Sequence, residues 1–331
     1  MIRIGIAGYG RIGQARATEI DQIDGAEVVA IYDISPPQDC VYKIVKNFKE
    51  LLSMVDAVFV CTFNDALASF TQLALENNIH VFCEKPPART VEELKKVISA
   101  EEKSSSILKY GFNHRYHYSV IEAKKLIDSG GMGKLLLMRG VYGKAGSIDY
   151  DKNWRNFKKL SGGGILIDQG IHMLDLMIYF NGQNFNKVQS KIFNSFWKVE
   201  AEDNAFIILE SDNGVVANMH SSATQWRHKF LLEMTFEEGY INLDGFLSGT
   251  RSYAPETLVT AKREFEDITY AMGKPKETVI TFENDDSFKM EVQDFLYAIK
   301  NKTPIKHGKS KDALFVLSLI ESIYKEAGFY S

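Results

Sequence analysis

Ile2-Arg3-Ile4-Gly5-Ile6-Ala7-Gly8-Tyr9-Gly10-Arg11-Ile12-Gly13, running on into a helix-forming stretch over 14–22, is the segment whose reading decides the fold. A short apolar run, a glycine-rich turn and a helical pattern follow one another without a gap, which reads as strand, turn, helix. The next apolar run, 26–32, ends on Asp33, twenty residues beyond Gly13. Further apolar runs at 57–61, 79–83 and 107–112 alternate with helical patterns at 48–54, 69–76 and 91–102. That alternation predicts parallel strands with helices on both faces, an N-terminal Rossmann doubly wound α/β domain.

A GxGxxG hexapeptide alone is weak evidence, but its context here is specific. It follows the first strand, opens a helix, and has an acidic residue at the spacing of a ribose-binding carboxylate. Gly8 allows the tight turn, Gly10 lets backbone approach a pyrophosphate, and Gly13 lets the helix pack closely. Dinucleotide binding follows. Asp33 would hydrogen-bond the adenosine ribose hydroxyls and repel the additional phosphate of NADP. No arginine in Ile34-Ser35-Pro36-Pro37 offsets that repulsion, although Ser35 could donate to a phosphate, so NAD is expected and NADP is the lesser alternative.

Working outward, 331 residues allow two domains, because single cores stop growing at about 250–300 residues. With 45% hydrophobic and 25% charged residues, the chain has the balance of a soluble globular protein. A formal charge of −4 offers no general attraction to nucleic acid or anionic lipid, and no run of 18 apolar residues suggests a membrane span. A small-molecule partner and a cytoplasmic location are the expectations, since the N-terminus enters a strand pattern without a signal-peptide arrangement. Cys40, Cys61 and Cys83 lack metal-type or CxxC spacing and read as free thiols. His114 and His117 have a spacing compatible with metal binding, but no matching cluster accompanies them and no metal is expected.

Two segments carry candidate chemistry. Val81-Phe82-Cys83-Glu84-Lys85-Pro86-Pro87 places Lys85 at the carboxyl end of an apolar strand, where open parallel sheets hold ligands, although a strand-end lysine is commonly just a solvated surface residue. The second is Gly162-Gly163-Gly164-Ile165-Leu166-Ile167-Asp168-Gln169-Gly170-Ile171-His172-Met173-Leu174-Asp175. If Ile165 onward is helical, Asp168, His172 and Asp175 share one face of a largely buried helix. A polar stripe on such a helix needs partners or a ligand. The plainer reading of His172 alone is a hydrogen-bonded core histidine.

With these motifs together, the chain resembles the Gfo/Idh/MocA family of nicotinamide-dependent oxidoreductases. The resemblance rests on Gly8 to Gly13, on Glu84-Lys85-Pro86, on Asn113-His114-Arg115-Tyr116 and on the segment from Gly162 to Asp175, in the family's order and spacing. It implies that Lys85, Asp168 and His172 line a substrate pocket beside the nicotinamide, with His172 as base, Lys85 on the reacting oxygen and Asp168 orienting a hydroxyl or the imidazole. Arg11, Ile12, Thr62, Glu84 and Lys85 complete the expected cofactor contacts with Gly8, Gly10, Gly13 and Asp33. Arg115, Trp154 and Arg155 join Asp168 and His172 at the substrate; for Trp154 and Arg155 a packed aromatic and a surface charge are equally plausible. Asp175 is expected behind that set rather than in it.

The match has departures. Where the family commonly carries Thr-Pro-Asn-x-x-His, this chain reads Thr62-Phe63-Asn64-Asp65-Ala66-Leu67, and 34–48 is too short for a full helix between strands. A more open adenosine side is expected.

After Tyr116, a helix at 119–128 precedes strand patterns at 135–142, 187–197, 205–210, 215–220, 230–236 and 278–282. Strands without intervening helices predict a C-terminal α+β domain with a mostly antiparallel open sheet. The division is thus 1–116 and 117–331, with the last helices, 288–300 and 311–327, read as packing and able to return to the first domain. The resemblance implies a homo-oligomer paired through the second sheet. The function expected is NAD-dependent hydride transfer at a secondary alcohol or ketone of a sugar, cyclitol or nucleotide sugar. The alternatives are a non-catalytic NAD-binding sensor and a redox-neutral NAD-assisted sugar enzyme.

Overall fold

The computed structural model describes residues 1–265 and 273–329, so the expected domain 117–331 includes a few positions, 266–272 and 330–331, that lie outside the described residues. In chain order the elements begin β1 (Ile2–Ala7), α1 (Arg11–Asp21), β2 (Ala26–Tyr32), β3 (Lys43–Ile44), α2 (Phe48–Leu52), β4 (Ala57–Val60), α3 (Asn64–Glu76), β5 (His80–Cys83), α4 (Val91–Glu101) and β6 (Leu108–Tyr110). They continue with α5 (Tyr118–Asp128), β7 (Leu135–Gly143), α6 (Lys158–Ser161), a π turn (Leu166–Gly170), α7 (Ile171–Asn181), β8 (Phe185–Phe193), β9 (Asn204–Ser211) and β10 (Val216–Ser222). The remainder is β11 (Lys229–Phe236), β12 (Gly239–Asp244), β13 (Glu256–Lys262), β14 (Thr278–Phe282), α8 (Ser287–Asn301) and α9 (Ser310–Glu326). Two compact units emerge, one of 1–113, 158–162 and 286–318, the other of 114–157, 163–285 and 319–331.

The first unit holds a six-stranded sheet in the order β3-β2-β1-β4-β5-β6, with each neighbouring pair parallel. The order reverses between β1 and β4, the switch point at which doubly wound sheets place ligands. Ile4, Ile6, Phe59 and Phe82 are fully buried, and α8 covers them with Phe295, whose ring meets those of Phe59 and Phe82 edge-on at 5.6 and 5.8 Å. Between β2 and α2 the chain adds only the two-residue strand β3, as the shortness of 34–48 led one to expect. α3 starts at Asn64, five residues before the helical pattern at 69–76, and Phe63, where the family's proline would stand, is the extended residue that precedes it.

Arg16, on α1, is 1% exposed. Its Nε donates to Glu84 Oε1 at 2.8 Å and its Nη2 to Glu291 Oε2 at 2.7 Å, while the guanidinium lies over the rings of Phe82 and Phe288. One cation thus ties α1, the end of β5 and α8 together. The two acids compensate a charge that burial alone would make costly.

The second unit holds an eight-stranded sheet ordered β14-β13-β12-β11-β7-β10-β9-β8, antiparallel except where β10 runs parallel to β7. Side chains alternate across it: Ala205, Ile207 and Leu209 of β9 are buried, and Phe206 and Ile208 are exposed. α7, buried on nearly every side, lies against the inner face, where Met173 and Met177 approach Gly140 so closely that an added Cβ there would stand 2.7 Å from the Met177 methyl. β12 and β13 extend the sheet beyond the strand patterns read from the sequence. Glu256, the first residue of β13, accepts from His117 Nδ1 at 3.0 Å, Ser119 N–H at 3.0 Å and Leu247 N–H at 3.2 Å. Burial opposes its ionisation, but the donors from His117 and Ser119 prevail and hold the carboxyl below its ordinary value. Among the described residues no helix is long and apolar enough to cross a membrane.

Two outcomes follow from these buried charges. Arg16→Met strands two buried carboxylates and should lower stability by about 3–5 kcal/mol, whereas Lys96→Ala, which removes only the exposed pair with Glu92, should change it by less than about 1 kcal/mol; urea midpoints measure both. Because the folded Glu256 carboxyl titrates lower than the unfolded one, its stabilisation is present above about pH 4.5 and is lost as pH falls below it. Glu256→Gln should therefore flatten the acid limb of the stability profile; an unchanged limb would show that other carboxyls set it.

Candidate active site

In the first unit the glycine turn forms a cradle. Gly8 has φ +89°, its N–H donates to Tyr32 O at 2.8 Å, and a Cβ there would lie 2.6 Å from the Cys61 carbonyl carbon. A Cβ on Gly13 would fall 2.1 Å from Gly8 O, so α1 can approach the turn only with glycine at both positions. Gly10 faces open space. α1 begins at Arg11 with no side-chain cap, leaving first-turn N–H groups and the positive end of the helix toward the cleft. A cavity of about 370 Å³ is lined by this turn together with Asp33, Ser35, Thr62, Phe63 and Phe70. These features fit a dinucleotide, with the turn for its pyrophosphate and an acid for its ribose.

Asp33 is half-buried and accepts from Tyr9 N–H at 2.5 Å and Ser35 N–H at 2.7 Å, which fixes the carboxylate at the mouth of the cavity. On the side where the family motif is lost, Phe63 is 44% exposed and Phe70 stacks on Phe48 at 4.2 Å, so the wall there is aromatic. Arg11 is exposed and Ile12 half-buried at the start of α1, and Thr62 is half-buried on the lining. Glu84, expected at the cofactor, is instead buried against Arg16. Lys85, the next residue, is half-buried beyond the carboxyl end of β5.

In the second unit the glycine run leads into the π turn. The α-helix expected from Ile165 does not begin until Ile171, and Asp168 stands in the π turn. Asp168 therefore precedes His172 by one wide π turn rather than by a regular α turn, and Asp175 follows within α7. Glu202 accounts for this local structure. Its carboxylate accepts from Gly164 N–H at 2.7 Å and Leu166 N–H at 2.9 Å, its main-chain carbonyl accepts from Ile165 N–H at 3.1 Å, and the Tyr324 hydroxyl donates to it at 2.8 Å. Any side chain at Gly164 would collide with the Glu202 carbonyl, 2.1 Å away.

Three polar pairings result. Asp168 receives Lys144 Nζ at 2.8 Å and Arg155 Nε at 3.2 Å, and the Arg155 guanidinium lies 4.4 Å over the Trp154 ring. His172, 5% exposed, stacks on His114 with ring centroids 3.9 Å apart and 10° between planes, and His114 Nε2 is 2.9 Å from the Tyr142 hydroxyl. Asp175 is buried in a two-pronged pair with Arg115 at 2.6 and 2.8 Å. Arg115, expected at the substrate, thus has two of its donors engaged by Asp175 behind the site. Burial raises the Tyr142 phenol well above its ordinary range, so it stays protonated toward its partner.

The structure therefore brings Trp154, Arg155 and Asp168 together, sets His172 one turn on against His114, which the sequence reading named only within a shared motif and as an unmatched metal spacing, and adds Lys144, Tyr142 and Glu202, which that reading missed. Lys144 had a visible signal, a cation just past the end of an apolar strand; Glu202 had none. Among the described residues no group of three or more His, Cys, Asp or Glu gathers as a metal site.

Comparison with known proteins bears on both halves. Residues 2–112 match the oxidoreductase family model with an NAD-binding Rossmann fold, and residues 120–242 match the GFO/IDH/MocA C-terminal domain. Glucose-6-phosphate 3-dehydrogenase of Bacillus subtilis (strain 168) is 33% identical over 195 residues, 56% of this chain and 55% of that protein. The scyllo-inositol 2-dehydrogenase (NAD(+)) of the same organism is 25% identical over 327 residues, 92% of this chain and 88% of that protein. Over three of the curated relatives it matches, the chain spans 55 to 66% of their length. The same fold recurs in a levoglucosan dehydrogenase complexed with NADH and levoglucosan, at a TM-score of 0.86 and 21% identity over 100% of this chain and 98% of that one. With the glycine cradle in one unit and the two family matches running in order along the sequence, the chain belongs to the GFO/IDH/MocA family of NAD-binding oxidoreductases.

Proposed function

We propose that the chain oxidises a secondary alcohol of a sugar or cyclitol, or reduces the corresponding ketone, with NAD as hydride partner. The observation that carries this reading is the pairing of polar groups at the π turn, where Asp168 held by Lys144 and Arg155 precedes a buried imidazole backed by His114. A paired carboxylate and an imidazole grouped on buried elements, with Arg155 reaching solvent, form a candidate site for a polar ligand. The names of the relatives, which include a glucose-6-phosphate and an inositol dehydrogenase, agree with a polyhydroxylated substrate.

When bound, the cofactor accepts hydride from the carbinol carbon. The remaining task, removal of the hydroxyl proton, falls to the chain, since such protons do not leave near neutral pH without a base. His172 takes that proton, and the stacked His114, fixed by Tyr142, keeps the imidazole ring in one orientation. The Lys85 ammonium donates to the reacting oxygen and stabilises the negative charge it gains. Asp168, with Lys144 and Arg155 on its two oxygens, orients a neighbouring hydroxyl. In the reverse direction the same groups return the proton.

We also propose that subunits pair through the outer face of the second sheet, supported by the exposed Leu137, Phe206, Ile208 and Val216 on it. The free thiols, with Cys61 and Cys83 driven to high pKa by burial, suit the reducing cytoplasm we propose as its compartment.

The catalytic reading is tested with a panel of sugars and cyclitols, following reduced-cofactor absorbance together with product analysis so that redox-neutral turnover is also seen. Lys85→Ala and His172→Ala should each lower kcat by about 10²–10⁴-fold, and the double variant should be no slower than the worse single one, as for groups acting on one transition state. Multiplying losses, or activity kept in the double variant, would overturn it; cofactor binding without any turnover would leave a sensor. Light scattering should show more than one subunit per particle, and a monomer at assay concentration would remove the pairing proposal.

A further inference from the structure

The second unit has a second cavity, of about 310 Å³, whose lining includes Gln225, Arg227, His228, Lys229, Asp244 and Tyr253. It adjoins the Asp168 cluster. Gln169, the residue after Asp168, donates from Nε2 to the Tyr253 hydroxyl at 3.0 Å, and Gln225 N–H donates to the Lys144 carbonyl at 3.0 Å. The ring of Tyr253 in turn meets Tyr142 at 5.5 Å and His228 at 5.0 Å.

Its charge is one-sided. Arg227 and Lys229 are exposed and have no acidic partner among the described residues, unlike Lys144 and Arg155, which share Asp168. Counting the cavity and its neighbour together, Lys144, Arg155, Arg227 and Lys229 face two carboxylates, Asp168 and Asp244, which leaves two positive charges in a chain whose net charge is −4. His228 Nδ1 is buried and has no hydrogen-bond partner among the described residues. Burial, and then the charge of Lys144, hold that imidazole below its ordinary pKa, so it adds hydrogen-bonding atoms rather than a further charge near neutral pH. The volume corresponds to about ten waters at their liquid share of about 30 Å³ each, enough for a phosphoryl group and the carbon that carries it.

We propose that this cavity is a subsite for a phosphoryl group on the substrate, so that the molecule oxidised is a phosphorylated sugar or cyclitol. The inference rests on the sugar-oxidising reading above for what lies at Asp168, and on the cavity's own residues for the anion. A phosphomonoester carries about −1.5 to −2 charges at neutral pH and three acceptor oxygens, which matches two uncompensated cations. Arg227 supplies a planar fork for two of those oxygens and Lys229 a point charge, with Tyr253, Gln225 and His228 available to the rest. A sugar carboxylate, with one charge, would leave one cation unmatched.

The test uses the full chain saturated with NAD, so that the glycine turn cannot take up phosphate, and calorimetric titration with inorganic phosphate, glucose 6-phosphate, glucuronate and glucose. Inorganic phosphate should bind, glucose 6-phosphate should bind at least tenfold tighter than glucose or glucuronate, and Arg227→Ala and Lys229→Ala should each weaken both phosphate ligands by about tenfold, as loss of one charge-assisted contact does. Arg227→Lys, keeping the charge but not the fork, should fall between. Lys187→Ala, on β8 and paired with Glu210, should change nothing. Glucuronate binding as tightly as glucose 6-phosphate, or phosphate binding indifferent to Arg227, overturns the proposal. If neutral sugars are oxidised while no phosphate binds, this subsite alone falls; if phosphate binds through Arg227 while no sugar or cyclitol, phosphorylated or not, is turned over, the subsite stands and the catalytic reading falls.

Discussion

The grip of Glu202 on the glycine run is the interaction on which the candidate chemistry depends. A buried carboxylate takes two main-chain N–H groups, its own carbonyl takes a third, and a buried phenol donates to it, all within a few residues of Asp168. The main chain at Gly164 and Leu166 is thereby fixed before the helix starts, and the π turn that follows is the way the chain passes from this fixed point into α7. π turns inside helices are frequent at functional sites because they redirect side chains without breaking the helix. Here the redirection sends Asp168 to Lys144 and Arg155 while His172 goes to His114.

Two kinds of buried charge coexist and do different things. The Arg16 cluster is shut away from solvent: its cation lies between two acids and two aromatic faces, with Arg16 Nη1 and Glu291 Oε1 left without a partner among the described residues, and its role is to hold α8 onto the parallel sheet. The Asp168 cluster is open on one side, with Arg155 more than one-third exposed, and has cations to spare in the neighbouring cavity. A closed network favours a unique packed arrangement, whereas an open one retains hydrogen-bonding capacity for a ligand.

What could be read from the sequence follows the range of the forces involved. The strand, glycine turn, helix and Asp33 were legible because all four requirements lie within some thirty residues and depend on main-chain sterics. Asp168 and His172 stood out as polar residues in an apolar stretch. The pairing of Glu84 with Arg16 was not legible, because that partner is 68 residues away and reads on its own as an ordinary helix residue. The π turn was invisible for the same reason, since it is imposed by Glu202 from 36 residues downstream and 3.6-residue periodicity leads one to expect an unbroken helix. Arg115 lies within a motif shared with the family, but its own position is decided by Asp175, 60 residues on. β12 and β13 were missed although their burial alternates, because short, partly polar strands in a sheet with one wet face give little contrast.

The π turn also constrains how this segment can change. It amounts to one surplus residue taken up by a wider turn, so α7 beyond it keeps close to the phase that an unbroken α-helix one residue shorter would give it. Ile171 to Asn181 hold their faces, with Met173 and Met177 in the narrow space at Gly140. A deletion within the turn would therefore move Asp168 and spare that packing, whereas a deletion inside α7 would rotate everything after it by about 100°. Relatives that keep this pocket should differ along α7 in letters and not in gaps.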